Sequence, residues 1–296
     1  MRGIVISFLL LFSLSAQGQF VIDSYRFAPA GPLLVLDSFP GALSGYSLRK
    51  LDKDYSGNCV KIVRISDSDS LDIGFVGNFV DTAAISTFCA STTCRVRVWY
   101  DQSGNGNNAV NYTNGTTQPR IYASNAFFRI KNIPCVDFNS ASNNNLVYTK
   151  GSEIAVQPVS IFGSFDINSI LGTNILFDGQ TLLRFMLNPL RSDSTLTLTN
   201  GGLELKKKAD IDLLNPAVFY ALFSGANSQA SVNNNATSTG TIGTNSIGTR
   251  YVLGNGGDLG GRAISGAIGD IIIYNSNQSS NQSAIQTNIN NFYSIY

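Results

Sequence analysis

The chain has 296 residues, with 20 Lys and Arg against 19 Asp and Glu, and it contains no histidine. This balance argues against a nucleic-acid partner, which needs an excess of Lys and Arg on one face. The absence of histidine excludes Ser-His-Asp and Cys-His nucleophilic catalysis, a histidine general base and His-ligated metal centres. Acid–base chemistry must therefore rest on Asp, Glu, Tyr or Lys, and no cofactor is predicted.

Residues 1–18 have the pattern of a secretory signal peptide. Arg2 gives a positive start, residues 4–14 are apolar apart from two serines, and residues 16–18 (Ala-Gln-Gly) have the small-x-small form of a cleavage site. The apolar run is too short to span a membrane, which takes about 20 residues. We therefore expect a secreted protein, extracellular or periplasmic, in which residues 19–296 form a single β-sandwich domain with no membrane span.

The rest of the sequence is rich in short β-branched or alternating runs. In chain order, the predicted strands are 59–65, 95–100, 135–138, 159–165, 181–187, 195–199, 218–223 and 267–274. Clusters of Asn, Gly, Ser and Thr separate these runs, which is typical of antiparallel sandwiches. The pattern predicts an all-β fold, a two-sheet β-sandwich of the jelly-roll type.

A few short helices are predicted to pack on the sandwich. Residues 42–51 place apolar side chains at near-helical spacing. Asp81 can cap a helix over residues 81–88. Residues 279–293 carry an apolar stripe, which indicates a C-terminal helix with one buried face.

The four cysteines predict two disulfides, because an even count behind a signal peptide indicates an oxidising compartment. Cys89 and Cys94 flank a short loop that a bridge can close. Cys59 and Cys135 then remain as a cross-strand pair. Their spacing does not match a zinc site, and no histidine can complete one. A calcium site would suit clustered Asp and Asn oxygens, but no EF-hand-like spacing supports it.

Three stretches carry a resemblance to a known family. They are residues 46–57 with 72–75, residues 81–107 with their Trp-Tyr-Asp-Gln-Ser-Gly-Asn-Gly-Asn end, and Gly256-Gly257-Asp258 with the strand at 268–274. Together they resemble the catalytic domain of glycoside hydrolase family 54, the arabinofuranosidase B type. The resemblance implies a concanavalin A-like lectin/glucanase sandwich, a disulfide at Cys89–Cys94, and a polysaccharide or other glycan as partner, arabinose-containing glycans among them.

The same resemblance implies catalytic positions. The acid/base of the family is the Asp of a Gly-Gly-Asp loop, which falls on Asp258, beside Gly257. Its nucleophile is a Glu at a strand end, and the best match falls on Asn200. An amide cannot attack an anomeric carbon, although it can bind a hydroxyl. Glu204 lies beyond a Gly-Gly turn, and Asp178 is the remaining candidate for a carboxylate at the larger distance of an inverting pair.

Trp99 or Tyr100 can offer a face on which a sugar stacks. The alternative is that they lead into a rigid turn after a core strand, formed by the glycines and asparagines that follow. We expect a carbohydrate-binding or adhesion module on the glycosidase scaffold. Two alternatives stay open: an active arabinofuranosidase-type glycosidase that uses Asp258, and a structural jelly roll of a cell or phage surface.

Overall fold

The computed structural model describes residues 34–113, 115–168, 174–180, 186–188, 194–209 and 212–296. The predicted signal peptide at 1–18 and the beginning of the domain predicted from residue 19 lie outside these ranges. Most of the predicted strand at 181–187 does too.

Short strands dominate the described residues. They are β1 (Ser44–Tyr46), β2 (Val60–Arg64), β3 (Ser70–Ile73), β4 (Phe75–Val76), β5 (Phe79–Val80), β6 (Cys94–Trp99), β7 (Ala109–Val110), β8 (Arg120–Ala123), β9 (Ala126–Phe127), β10 (Arg129–Ile130), β11 (Ile133–Pro134), β12 (Val136–Phe138), β13 (Leu146–Thr149), β14 (Val159–Ile167), β15 (Phe177–Asp178), β16 (Met186–Asn188), β17 (Thr195–Asn200), β18 (Leu203–Lys208), β19 (Ala217–Phe223), β20 (Ser228–Val232), β21 (Ser238–Gly240), β22 (Arg250–Leu253) and β23 (Gly266–Tyr274).

The helices are short apart from the last one. They are α1 (Val35–Ser38), α2 (Thr82–Phe88) and α3 (Gln282–Tyr293), with 3-10 turns at Ser140–Ser142, Gly225–Asn227 and Ser279–Asn281. Among the described residues, no helix is long and apolar enough to cross a membrane.

Backbone pairing arranges most strands in two antiparallel runs. The first run is β20–β19–β14–β23, with β1 and β12 both paired to the free edge of β23. The second run is β3–β2–β6–β7–β13–β22–β15–β16–β17–β18. Strand β8 joins them, because it pairs with β12 of the first run and with β6 of the second.

A large apolar core lies between the two runs. It takes alternate side chains from each run, among them Ile161, Phe165, Phe219 and Ile271 from the first and Val60, Trp99, Leu146, Leu198, Tyr251 and Leu253 from the second. Alternation of side chains along a strand sends the residues between them to the opposite face. The all-β sandwich prediction is confirmed, and β8 makes the two layers one continuous hydrogen-bonded network.

The C-terminal helix covers the other face of the first run. Phe162, Tyr220 and Ile272 form a second apolar cluster with Ile285 and Ile289 of α3. The first run is thus buried on both faces. The predictions of α2 and of a C-terminal helix are confirmed, and Asp81 caps α2 by accepting a bond from the amide of Ala84.

The helix predicted over residues 42–51 is wrong. The chain there is extended, and β1 pairs with Ile271–Ile273 of β23. Tyr46 and Leu48 both enter the core between the runs, which is the two-residue period of a strand rather than a helical one. Pairing with a buried central strand therefore overrides the local spacing of apolar residues.

A buried ion pair fixes α3 to the sheet. Nε and Nη2 of Arg49 donate to Oδ2 of Asp270 at 3.0 and 2.8 Å. The hydroxyl groups of Ser47 and Tyr293 donate to Oδ1 of the same carboxylate at 2.5 and 2.9 Å. Asp270 is fully buried and Arg49 is 2% exposed, so each buried charge has the partners that burial demands.

The cysteines bear out one of the two predicted disulfides. Cys89 and Cys94 are bonded, with Cα atoms 5.8 Å apart. The predicted bridge between Cys59 and Cys135 is wrong, since both are free and buried. Cys59 lies in the core between the runs, whereas Cys135 lies in the cluster under α3. The first run separates the two thiols.

Candidate functional site

The face of the second run that points away from the core carries the candidate site. Val252 of β22 lies between the core residues Tyr251 and Leu253, so it points outward. Asp178 of β15 is directly opposite Val252. Asp178 pairs with Met186 of β16, and Met186 pairs with Thr199 of β17. Thr199 therefore lies on the same face as Asp178. We call this surface the outer face.

A loop after β22, residues 254–262, folds back over the outer face. It begins at Gly254, whose φ is +74° and where a Cβ atom would lie 2.2 Å from the ring of Phe138. Asn255 is fully buried, and its Oδ1 accepts bonds from the amides of Gly256 and Arg262 at 2.7 and 3.2 Å. The asparagine side chain thus closes the loop at its base. We call this segment the Gly-Gly-Asp loop.

Gly257 attaches the loop to the strand beneath it. Its amide donates to Oδ2 of Asp178 at 2.7 Å, and its carbonyl oxygen accepts a bond from Nη2 of Arg250. A Cβ atom at this position would lie 1.9 Å from the carbonyl oxygen of Gly179. The missing side chain at Gly257 therefore makes room for the backbone that follows β15.

Asp258 forms an ion pair within the same loop. Its Oδ2 contacts Nη2 of Arg262, and its Oδ1 accepts a bond from the amide of Gly260 at 3.0 Å. The hydrogen bond from Arg262 lowers the pKa of Asp258, so the carboxyl group is ionised at neutral pH. A general acid that protonates a leaving glycoside oxygen needs a raised pKa. The pairing therefore suits hydrogen bonding to hydroxyl groups better than proton donation.

Leu259 gives the loop an exposed apolar side chain. It is 37% exposed, and its φ of +58° lies in the left-handed region that non-glycine residues seldom occupy. Its amide donates to the carbonyl oxygen of Gly256 at 2.8 Å, which closes a tight turn. Strained residues of this kind concentrate at functional sites. The loop thus presents an apolar group beside a carboxylate and a guanidinium.

Strand β17 sends a different residue to this face from the one that the sequence suggested. Leu196 and Leu198 enter the core, so Asn200 lies on the core side. Asn200 is fully buried, and its amide exchanges two hydrogen bonds with the backbone of Asn245, at 3.0 and 2.9 Å. The prediction that Asn200 contacts a ligand is therefore wrong. Thr199 takes the outer face, and the apolar alternation of this strand in the sequence was the signal that could have found it.

Glu204 lies across the sheet from the loop. It is opposite Thr199 on β18, three strand spacings or about 14 Å from β15. Its carboxylate pairs with Lys206 at 3.1 Å. The carboxyl groups of a retaining pair stand about 5 Å apart, so Glu204 does not form such a pair with Asp178.

Trp99 and Tyr100 have separate environments. Trp99 is fully buried against Tyr46, with ring centroids 5.9 Å apart, so the prediction that it stacks on a sugar is wrong. Tyr100 is partly exposed, and its hydroxyl group donates to Oδ1 of Asp72 at 2.6 Å. It follows β6, three strand spacings or about 14 Å from β22, so it lies apart from the Gly-Gly-Asp loop.

The loop after Tyr100 is the rigid turn that the sequence offered as an alternative. Oδ1 of Asp101 accepts bonds from the amides of Gly45 and Ser103 at 2.8 and 2.9 Å, and Oδ2 accepts from Asn107 at 3.0 Å. Asp101 is almost fully buried.

Within the part of the chain that the structure describes, no group of three His, Cys, Asp or Glu side chains is placed to hold a metal ion.

A sequence match to a family model and superposition on solved structures both relate this chain to α-L-arabinofuranosidases. Residues 40–145 match the family model described as alpha-L-arabinofuranosidase B, catalytic. The fold superposes on a GH54 α-L-arabinofuranosidase variant soaked with 4-nitrophenyl α-L-arabinofuranoside with a TM-score of 0.62, at 16% identity over 88% of this chain and 64% of that one. The chain has a GH54-like domain. An arabinofuranosidase complexed with arabinofuranosyl-α-1,2-xylobiose gives a TM-score of 0.61 at 15% identity, with the same coverage.

The sequence relatives of this GH54-like domain match only part of it. The probable alpha-L-arabinofuranosidase B of Aspergillus flavus is 34% identical over 91 residues, which are 29% of this chain and 18% of that protein. The Aspergillus kawachii enzyme is 37% identical over 82 residues, 26% of this chain and 16% of that protein. The match spans less than a fifth of these relatives. The family model ends before Asp178, Thr199 and Asp258, so the candidate site rests on the geometry of this chain.

Proposed function

We propose that this GH54-like domain binds glycans at the Gly-Gly-Asp loop and does not hydrolyse them rapidly. The observation that carries the proposal is the ion pair of Asp258 with Arg262. It holds the carboxylate ionised and partly exposed, with a cation beside it. Charged groups of this kind make strong hydrogen bonds to hydroxyl groups. Leu259 adds an apolar contact for the carbon face of a sugar.

The geometry around Asp258 supports binding over turnover. The carboxylate of Asp178, 1% exposed, is engaged by the amide of Gly257. The outward position on β17 is Thr199, which is not the carboxylate that a retaining glycosidase uses as its nucleophile. A retaining glycosidase needs a second free carboxylate beside the acid. On this proposal the glycans include arabinofuranose-bearing polysaccharides. Residues 1–18 direct export of the protein, and residues 19–296 form a single domain that binds the glycan.

An active arabinofuranosidase is the second candidate, favoured by the names of the relatives that match residues 40–145. One pair of assays separates the two. Calorimetry with arabinofuranosyl-α-1,2-xylobiose measures binding, and release of 4-nitrophenol from 4-nitrophenyl α-L-arabinofuranoside measures turnover. Binding that Asp258→Asn weakens, without turnover, supports the proposal. Turnover that disappears in Asp258→Asn supports the enzyme. No binding and no turnover favours a structural jelly roll.

The matched control is Asp69→Asn. Asp69 is also an exposed aspartate paired with an arginine, Arg64, at 3.0 Å. It lies in the turn between β2 and β3, far across the second run from the Gly-Gly-Asp loop. The control should therefore leave both binding and turnover unchanged.

A further inference from the structure

A surface cavity lies where the segment before β2 meets the turn after β6. Its volume is about 310 Å³, within the range of small-ligand sites. It is lined by Asp52, Asp54, Tyr55, Ser56, Gly57, Gln102 and Gly104. We infer that this cavity is a second glycan-binding site, which holds a neutral sugar ring against Tyr55. The inference goes beyond the function proposed for the Gly-Gly-Asp loop.

The ring of Tyr55 is held in place on three sides. It meets Phe75 edge-on, with centroids 6.2 Å apart and planes at 84°. Its hydroxyl group donates to the carbonyl oxygen of Asn58 at 2.8 Å. A Cβ atom at Gly57 would lie 2.5 Å from the tyrosine oxygen, so a side chain there would displace the ring. A ring already fixed loses little entropy when a ligand stacks on it.

The polar groups around the ring suit sugar hydroxyls. Asp54 has a carboxylate that is 80% exposed, and Asp52 and the exposed Ser56 stand on either side of Tyr55 in the chain. Carboxylate and hydroxyl oxygens accept hydrogen bonds from hydroxyl groups. A few polar groups that converge beside an aromatic ring are the usual composition of a small-molecule site.

Gln102 forms a rigid wall. It is 1% exposed, and its Nε2 donates to the carbonyl oxygens of Ser47 and Arg49 at 2.9 and 3.0 Å. Its Oε1 accepts a bond from the amide of Leu51 at 2.8 Å. Nearby, Gly104 has a φ of +86° and open space where a Cβ atom would stand. Gln102 therefore gives the cavity one fixed wall before any ligand arrives.

The charges around the cavity favour a neutral ligand over a cation. Lys53 forms an ion pair with Asp54, and Nζ of Lys50 donates to the carbonyl oxygen of Lys53 at 3.1 Å. Two lysines thus offset most of the charge of Asp52, Asp54 and the neighbouring Asp37. A metal ion would have to displace Lys53 from Asp54, whereas a hydroxyl group can share the same carboxylate.

The cavity is distant from the Gly-Gly-Asp loop. Its walls precede β2 and follow β6, and the loop follows β22, which is four strand spacings from β2 and three from β6 along β2–β6–β7–β13–β22. At about 4.8 Å for each spacing the separation is about 14 to 19 Å. The two sites can therefore be disabled one at a time.

The test is calorimetric titration with arabinofuranosyl-α-1,2-xylobiose and with unsubstituted xylo-oligosaccharides. It uses Asp258→Asn protein, which weakens the loop site, and metal-free buffer. Tyr55→Ala should lower the affinity at the remaining site about tenfold, the loss of about 1.4 kcal/mol expected for an aromatic contact. Tyr55→Phe should keep the affinity within a factor of about two, because the ring remains. Tyr296→Ala, an exposed tyrosine elsewhere, is the control.

A second variant separates loss of the binding site from misfolding of the Tyr55→Ala protein. Asp54→Asn alters a side chain that is 80% exposed, and it should also weaken binding. Loss of affinity in both Tyr55→Ala and Asp54→Asn supports the second site, whether or not Asp258 binds sugar. Affinity unchanged in both overturns it. Absence of any titratable site in the Asp258→Asn protein overturns it as well, as does binding that appears only when calcium is added.

Discussion

The backbone amide of Gly257 donates a 2.7 Å hydrogen bond to Oδ2 of Asp178. The contact makes Asp178 the anchor of the Gly-Gly-Asp loop. An inverting glycosidase would need a free carboxylate that activates water, with room for that water beside the acid. Asp178 is 1% exposed, so its position explains how the loop is held better than it explains hydrolysis.

Gly257→Ala should displace the loop. The added Cβ atom would lie 1.9 Å from the carbonyl oxygen of Gly179, and relief of such overpacking costs about 1–3 kcal/mol. We expect a lower free energy of unfolding in urea and a loss of glycan affinity. Gly74→Ala is the control, since its Cβ atom would meet nothing closer than 4.0 Å. A Gly257→Ala protein with unchanged stability and affinity would show that the loop does not rest on Gly179.

Glycan affinity at the loop should be flat from neutral pH down to about pH 5. The pKa of Asp258 is lowered from its ordinary value of 3.8 by Arg262. Because the pKa is lowered, the carboxylate is charged throughout the range from pH 7 to about pH 5. The ion pair with Arg262 is lost only when the pH falls through the lowered pKa. Titrations at several pH values check this. A fall in affinity between pH 7 and about pH 5 would indicate a carboxyl group with a raised pKa.

Thr199→Val and Asn200→Ala should differ in their effect on stability. The Thr199 hydroxyl group is buried with no hydrogen-bond partner, so an apolar group of the same shape should be neutral or slightly stabilising. Asn200→Ala removes two partly buried hydrogen bonds between a fully buried side chain and the backbone of Asn245 and should cost about 2–3 kcal/mol. Urea unfolding compares the two. Equal effects would contradict the assignment of Asn200 to the core side.

Asp270→Asn should be the most damaging of the conservative changes. It leaves Arg49 buried without its counter-ion, and breaking a buried pair costs about 3–5 kcal/mol. Asp72→Asn, whose partner Lys61 is 32% exposed, should cost less than about 1 kcal/mol. The difference should appear in the urea midpoint. Similar midpoints would show that α3 is held by its apolar contacts alone.

The native protein should show no reactive thiol, and the denatured, unreduced protein should show two. Cys59 and Cys135 are free and buried, and burial raises the pKa of both thiols well above the usual value. Only a thiolate reacts with a disulfide reagent. Titration with and without denaturant measures both states. No thiol in the denatured protein would restore the bridge between Cys59 and Cys135.

The strands and the terminal helix could be predicted because their signals are local. Runs such as Val159–Ile167 and Gly266–Tyr274 are long and apolar, and the stripe of α3 has helical spacing. Residues 42–51 failed because apolar spacing alone does not separate a helix from an irregular extended segment. Only the pairing of β1 with β23 decides between them.

The site could be predicted only in part. The sequence singled out Asp178, Gly257 and Asp258, and the fold brings them together. It could not show that Arg262 neutralises Asp258, because an arginine beside a glycine-rich turn can point to many partners. It placed Asn200 one residue away from the position that faces outward, since register depends on which side of β17 meets the core. The bridge between Cys59 and Cys135 failed for a similar reason, as two residues at strand starts can lie on opposite faces.

The most direct test of binding without rapid hydrolysis compares two readouts on one preparation. Arabinofuranosyl-α-1,2-xylobiose is titrated by calorimetry, and release of 4-nitrophenol from 4-nitrophenyl α-L-arabinofuranoside is followed over hours. We expect saturable binding that weakens in Asp258→Asn and no turnover above that of the Asp258→Asn protein. Steady turnover in the wild-type protein that Asp258→Asn abolishes would contradict the account and show that hydrolysis depends on Asp258.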